Sequence, residues 1–356
     1  MKYLLLGTAL VAGGLGAAWY GGETWLSGKA REAVANSPAV EAASVAPLRD
    51  PRRIGLHLAE VEVGDDRNGF SAPGLDVYAP LTAPTTMTVS LPPRMQLRID
   101  GTPVALSVAQ GQAHATISPT RDMAIRSAGA TAQDVTVDGA PVLQSLDVTA
   151  DLAHMGAAAP PGSRAAYAIT AAATGVTLPS LPERLDITGP VQLWLTEVPG
   201  QPMLEGRVLP PALTGIQTQG LRLTLGKIHA TLIGRIQADA QGFAEGEAAF
   251  YTTDAPLFVD AAVRAGLIPQ KAAMLMGALV NNLSDSPVPS DTAAEATKKA
   301  AMLPQIDPDF TPGADDIVSL PPAAKGQIRL PLILKDGEIR LGPVPIGPAP
   351  RMITAQ

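Results

Sequence analysis

Three Asp-Gly pairs, each set between runs of alternating apolar residues, constrain this chain more than any other feature. In MQLRIDGTPVALSV, Met95, Leu97 and Ile99 alternate with polar residues up to Asp100-Gly101, and Val104, Leu106 and Val108 resume the pattern. Alternation sorts side chains onto the two faces of a strand, and Asp-Gly supplies the positive-φ pair that a tight hairpin needs. The phrase returns 38 residues later, where Val137-Asp138-Gly139-Ala140-Pro141-Val142 matches Ile99-Asp100-Gly101-Thr102-Pro103-Val104. It reads either as a repeated hairpin unit along one sheet or as one turn chemistry used twice. Near the end, Ile328, Leu330, Leu332 and Leu334 alternate into Asp336-Gly337, and Ile339 and Leu341 lead back out.

Weaker signals fill in the rest. In IGLHLAEVEVG, Ile54, Leu56 and Leu58 share a face, and Val61 and Val63 follow after a slip. Asp65-Asp66 beside Asn68-Gly69 reads as a hairpin turn. In LRLTLGKIHATLIGRIQADAQGF, Leu221, Leu223 and Leu225 share a face, and Ile228, Ala230 and Leu232 continue after a one-residue shift. A bulge at Gly226 would absorb that shift, and Asp239–Gly242 would turn the chain. Beyond Leu341, Pro343 and Pro345, and again Pro348 and Pro350, lie two apart. Their missing N–H groups then fall on one side of an extended chain, which an edge strand tolerates and a central strand does not.

One helical pair interrupts the strands. Asp254 suits an N-cap and Pro256 a first turn, before LFVDAAVRAGLI. Pro269 opens a second helix in which Ala272, Leu275, Met276, Leu279 and Leu283 fall at helical spacing. Residues 284–326 hold seven prolines, so they read as a long excursion outside any sheet. The reading is therefore a mainly β chain. Elongated, curved antiparallel sheet or sheets are built from hairpins, with an N-terminal transmembrane helix and a helical pair near residues 254–284. The expected domains are a membrane anchor and juxtamembrane helix at 1–36, a first β lobe at 37–155 and a second at 164–352. The stretch MGAAAPPGS at 155–163 marks the break between the lobes.

The anchor rests on the uncharged run Tyr3–Tyr20 between Lys2 and Glu23. Its eighteen residues would span about 27 Å as a helix, enough for a bilayer core. Leu4, Leu5, Leu6, Leu10, Val11 and Leu15 supply the apolar surface, and Trp19, Tyr20 and Trp25 stand where an aromatic belt meets the interface. The alternative is a cleaved signal peptide, with Gly16-Ala17-Ala18 as the cleavage site. Either way the bulk of the chain is expected to be exported, tethered to the membrane in a single pass or released after cleavage.

Composition narrows the chemistry. The net charge of −7 disfavours nucleic acid or an anionic membrane surface as a partner, since both reward Lys/Arg patches. The absence of cysteine removes disulfides, thiolate nucleophiles and cysteine-based zinc sites. The four histidines, His57, His114, His154 and His229, are isolated in sequence, and neither HExxH nor GxSxG occurs. No cofactor or metal is expected, and no catalytic residue. Asp307, Asp309, Asp315 and Asp316 lack the spacing of a calcium loop, with Pro312 where its glycine belongs.

The anchor with Trp19, the segment IGRIQADAQGFAEGEAAF and the closing LILKDGEIRLGPVPIGPAP together resemble the bacterial domain-of-unknown-function 2125 family, found mainly in alphaproteobacteria. The general plan is similar to AsmA-like envelope proteins. That resemblance implies single-pass anchoring in the bacterial inner membrane with the bulk of the chain in the periplasm and, as in some of those proteins, phospholipid moved along an apolar groove. From the residues themselves, strands rich in Val, Leu and Ile with few aromatics favour binding or conduction of a lipid or another apolar ligand. Leu221, Leu223, Leu225, Leu275, Leu279, Leu330 and Leu332 are the candidate lining. The alternative is a non-enzymatic envelope scaffold with a closed core. An envelope hydrolase is a third reading, which would need a nucleophile and a base to converge from distant strands.

Overall fold

The computed structural model describes residues 22–352 apart from 33, 36–39, 66, 122, 178, 182, 201–202, 204–207, 267 and 269–319. The apolar run Tyr3–Tyr20, the second helix with Leu275 and Leu279, and most of the proline-rich excursion lie outside the described residues. Among the described residues no helix is long and apolar enough to cross a membrane. Seventeen strands dominate the described residues. The chain divides into two compact units, Met1–Val148 and Thr149–Gln356.

The first unit opens with helix α1 (residues 22–32) and continues as a meander. Its strands are β1 (Val40–Pro47), β2 (Arg53–Gly64), β3 (Gly69–Pro80), β4 (Thr86–Leu91), β5 (Arg94–Ile99), β6 (Thr102–Ser107), β7 (Gln110–Ser118), β8 (Ala124–Val137) and β9 (Ala140–Ala153). β3 pairs with β4 through its C-terminal half and with β5 through its N-terminal half. Thus β4 and β5 act as one strand broken at Pro92-Pro93, and β6 and β7 as one broken at Val108-Ala109. The cause is local: neither proline has an N–H to give to a ladder.

These breaks belong to one crease across the sheet. Glu60, at φ 48°, lies opposite Pro73, and both are skipped where the ladder passes from Ala59↔Gly74 to Val61↔Ala72. The line continues through Pro92-Pro93 and Val108-Ala109 to Asp134, at φ 49°. A positive-φ residue inside a strand reverses the alternation, so residues three apart reach one face. That is why Leu58 and Val61, and Ala132 and Val135, pack in one core with Met95 and Val108, which Ala72 and Leu75, on either side of Pro73-Gly74, also join. The slip read in the sequence after Leu58 is this crease.

All three Asp-Gly pairs are positive-φ turns: 49° and 80° at Asp100-Gly101, 49° and 79° at Asp138-Gly139, 52° and 76° at Asp336-Gly337. The two matching phrases become neighbouring hairpins, β5–β6 and β8–β9, joined where Leu106 pairs Val137. Asp138 stitches them: its N–H donates to Ala105 O and its carboxylate accepts from Ala105 N, each at 2.8 Å.

The second unit is a second antiparallel meander, β10 (Ala165–Val176), β11 (Leu185–Leu195), β12 (Leu213–Leu225), β13 (Ile228–Ala238), β14 (Ala244–Thr252), β15 (Ile328–Lys335), β16 (Glu338–Leu341) and β17 (Val344–Pro348). Gly226 is not a bulge. With φ 55° it forms a two-residue turn with Lys227, and Leu225 pairs directly with Ile228. The expected turn at 239–242 is present, with the Asp239 carboxylate accepting from Gln241 N and Phe243 N at 2.8 Å. In β17 the prolines at 345 and 348 are exposed, as are the flanking Pro343 and Pro350, while Val344 and Ala349 are buried.

Helix α2 (Ala255–Arg264) follows β14. Asp254 caps it by accepting from Leu257 N at 3.3 Å, and Pro256 sits in the first turn. It stops earlier than its apolar pattern, because Gly266 turns to φ 74° and donates to Val263 O.

Candidate functional site

The registers of the second unit place its apolar residues in cross-strand rows on one face. Leu221 pairs Leu232, Leu232 pairs Phe250, and Phe250 pairs Leu330. The next row runs Ile187, Leu223, Ala230, Thr252 and Ile328. Leu185, Leu225 and Ile228 form a third, shorter row. On the other side of the first row, Gly234, Ala248, Leu332 and Leu341 align. Because side chains alternate along each strand, these rows build one continuous apolar surface.

That surface is covered unevenly. α2 packs over its β14–β17 end, where Ala255, Val259, Ile268, Leu330, Leu341 and Val344 form a core cluster. Phe258 of α2 stacks at a tilt on Phe250, ring centroids 5.1 Å apart. Leu330 is 1% exposed, and Leu332 packs half-buried against the same cluster. Leu185, Ile187, Leu221, Leu223, Leu225, Ile228 and Leu232 are all only half-buried.

Of the sequence-predicted lining, the fold therefore brings Leu221, Leu223, Leu225, Leu330 and Leu332 onto one face, with Leu330 inside the core under α2. Leu275 and Leu279 lie outside the described residues. Sequence reading missed Leu185, Ile187 and Phe250. Alternation in LDITGPVQL was the available signal for the first two, but the register that places them beside Leu223 and Leu225 is not written locally.

The opposite face of this unit has a different core. Trp194 is fully buried, with the Arg235 guanidinium 4.9 Å from its ring centroid. Arg235 also donates to Ala158 O, tying down the segment that carries Pro160. A Cβ on Gly215 would meet Pro160 Cγ at 2.6 Å and Trp194 Cε3 at 3.1 Å, so this packing requires glycine. Tyr251 donates to Pro321 O at 2.7 Å, and burial raises its phenol above the usual range. Tyr167, buried on the apolar side, is pushed up to about 12 by the same cause.

Polar chemistry gathers in the first unit. His57 Nδ1 meets Asp76 Oδ1 at 2.7 Å across the β2–β3 pair, in an exposed position. Ser90 stands opposite Asp76, not opposite His57, so this row does not place a hydroxyl for the imidazole to deprotonate. His114 lies over Gly129, where an added Cβ would meet its ring at 2.5 Å, and His229 faces Thr224 at 3.3 Å. A hollow of about 390 Å³ opens among Glu41, Glu62, Asp65, Gln96 and Arg98. Glu41 and Glu62 pair directly across β1 and β2 there. Among the described residues no group of three or more His, Asp or Glu side chains is arranged to hold a metal ion.

The family model described as "Uncharacterized protein conserved in bacteria (DUF2125)" matches residues 51–350, so the chain belongs to that family. No curated protein and no solved structure matches it.

Proposed function

We propose that this DUF2125 protein is an inner-membrane-anchored, periplasm-facing binder of lipid acyl chains or a comparably apolar ligand. Residues 3–20 would hold it in the bilayer. The ligand would lie on the β11–β13 part of the apolar face, against Leu185, Ile187, Leu221, Leu223, Leu225 and Leu232. The observation that carries this reading is the uneven cover: one register of apolar rows runs across β11–β15, sealed by α2 at one end and half-buried at the other. Apolar surface of this extent, left partly open, gains free energy from an apolar occupant. Its lining is aliphatic and branched with scarcely any aromatic or charged group, which suits flexible hydrocarbon more than a planar or polar ligand.

Photo-crosslinking tests the reading. Cells fed a diazirine-bearing fatty acid should yield adducts on peptides spanning residues 185–238. Adducts confined to residues 3–20, or crosslinks only to other proteins, would oppose it. The scaffold reading draws on a separate observation, the sealed cluster around Leu330, and predicts that second outcome.

A further inference from the structure

The first unit's sheet carries opposite charge at its two ends. At one end lie the start of α1 and the turns 48–53, 81–85 and 119–121, linked in sequence by Leu81 N to Arg52 O at 3.1 Å and Ile117 N to Thr85 O at 2.9 Å. The described cations in these turns are Arg49, Arg52, Arg53 and Arg121, against the carboxylates of Glu23 and Asp50. Those carboxylates are spoken for. Asp50 pairs Arg53 at 2.6 Å. Glu23 is fully buried, accepting from Arg49 N and Gly55 N at 3.2 Å with the Arg49 guanidinium 3.8 Å away. Arg52 and Arg121 are exposed; Leu81, whose N–H bonds Arg52 O, is 49% exposed, and Trp25, in the first turn of α1, is 67% exposed.

The other end reverses the sign. Its turns are joined by Gly101 N to Arg67 O at 2.8 Å and Asp100 N to Asn68 Oδ1 at 3.2 Å. The described charges are Glu41, Glu62, Asp65, Asp100 and Asp138 against Arg67 and Arg98. The net charge of −7, which counts against an anionic surface for the chain as a whole, is thus unevenly placed in this unit. β2, at twelve residues, separates the two ends by roughly 40 Å at ~3.3 Å per residue. That is several times the screening length of about 8 Å at physiological salt, so a charged surface at one end is not felt at the other.

We propose that the basic end docks on an anionic bilayer surface, with Trp25 and Leu81 in the headgroup layer and the acidic turns pointing away. Three observations converge on a lipid surface as the occupant. The exposed groups combine arginine with a tryptophan and a leucine, as interfacial segments do. The chain enters this end from the uncharged run Tyr3–Tyr20. And α1 is not a loose tether, because buried Glu23 and the Arg31 bond to Val45 O at 2.9 Å fix it to the sheet. The proposal rests on the anchoring reading of residues 3–20 but not on ligand binding by the second unit.

The chain has no cysteine, so a single label is introduced without background. Full-length Thr120→Cys (basic end) and Thr102→Cys (acidic end), each carrying a fluorophore, are placed in nanodiscs that contain lipid with a headgroup-attached quencher. With phosphatidylglycerol present, the label at 120 should be quenched strongly and the label at 102 scarcely. Quenching at 120 should fall in phosphatidylcholine discs and at high salt. Each arginine near an anionic surface is worth roughly a five-fold change, so R52Q/R121Q should lower the docked-to-undocked ratio about 25-fold. A chain that stays out of the disc fraction would overturn the anchoring reading. A chain in the discs with both labels quenched alike, or with no dependence on anionic lipid, would overturn this proposal alone.

Discussion

Leu330→Ala and Leu223→Ala remove the same atoms from the same face of the same sheet and should differ severalfold in effect. Leu330 is 1% exposed within the α2 cluster, so its truncation loses burial and leaves a cavity. Substitutions of that kind destabilise by about 2–5 kcal/mol. Leu223 is half-buried in the open part of the face, so about half of a side chain's ~1.5–3 kcal/mol transfer term is at stake, on the order of 1 kcal/mol, with no enclosed cavity. Urea titration followed by tryptophan emission reads the difference. Trp194 is fully buried in the second unit and shifts to the red when that unit opens. The midpoint of Leu330→Ala should fall clearly below that of Leu223→Ala at equal slope. Equal losses near 3 kcal/mol would refute the uneven cover and favour a face that is closed throughout.

Further outcomes follow from single contacts. Glu23→Ala takes the acceptor from the buried Gly55 N–H and the part-buried Arg49 N–H, which costs about 1–3 kcal/mol, and hydrogen exchange across residues 24–32 should accelerate while β10–β17 stays protected. Gly215→Ala forces a Cβ against Pro160 and Trp194 and should destabilise the second unit by about 1–3 kcal/mol, read by the same tryptophan signal. Tyr167, held at about 12, should ionise late in an ultraviolet titration of the tyrosines. Its folded value lies above its unfolded one, so the stability it contributes is intact below pH ~10 and lost as pH rises through 12. Loss of stability instead on going from pH 12 down to 10 would contradict the burial of its phenol.

The turns were the most legible part of the fold. Asp100-Gly101, Asp138-Gly139 and Asp336-Gly337 each encode their own geometry within two residues, and each adopts the positive φ pair that its chemistry favours. Asp254 and Pro256 likewise start α2 by local chemistry. The crease was visible only as a slip after Leu58, because its other members, Pro73, Pro92-Pro93 and Asp134, become one line only once five strands are in register. Gly226 was misread for a related reason. A one-residue change of phase looks the same whether a bulge absorbs it or the chain reverses, and pairing of Leu225 with Ile228 decides for reversal. At the candidate site, alternation was enough to find Leu221, Leu223, Leu225, Leu330 and Leu332 as one apolar set. It was silent on which of them a helix would cover, since the burial of Leu330 depends on Ala255 and Val259, some seventy residues away in sequence.

The most direct test of the central claim is lipid mass spectrometry on the purified full chain, alongside Leu223→Asp. The variant leaves residues 3–20 unchanged, so any lipid held there is common to both proteins and the difference reports lipid held on the β11–β13 face. The proposed function predicts near-stoichiometric lipid in the wild type that is lost in Leu223→Asp with both proteins equally folded by circular dichroism. Identical lipid content in the two, or none beyond a mock purification, would contradict it.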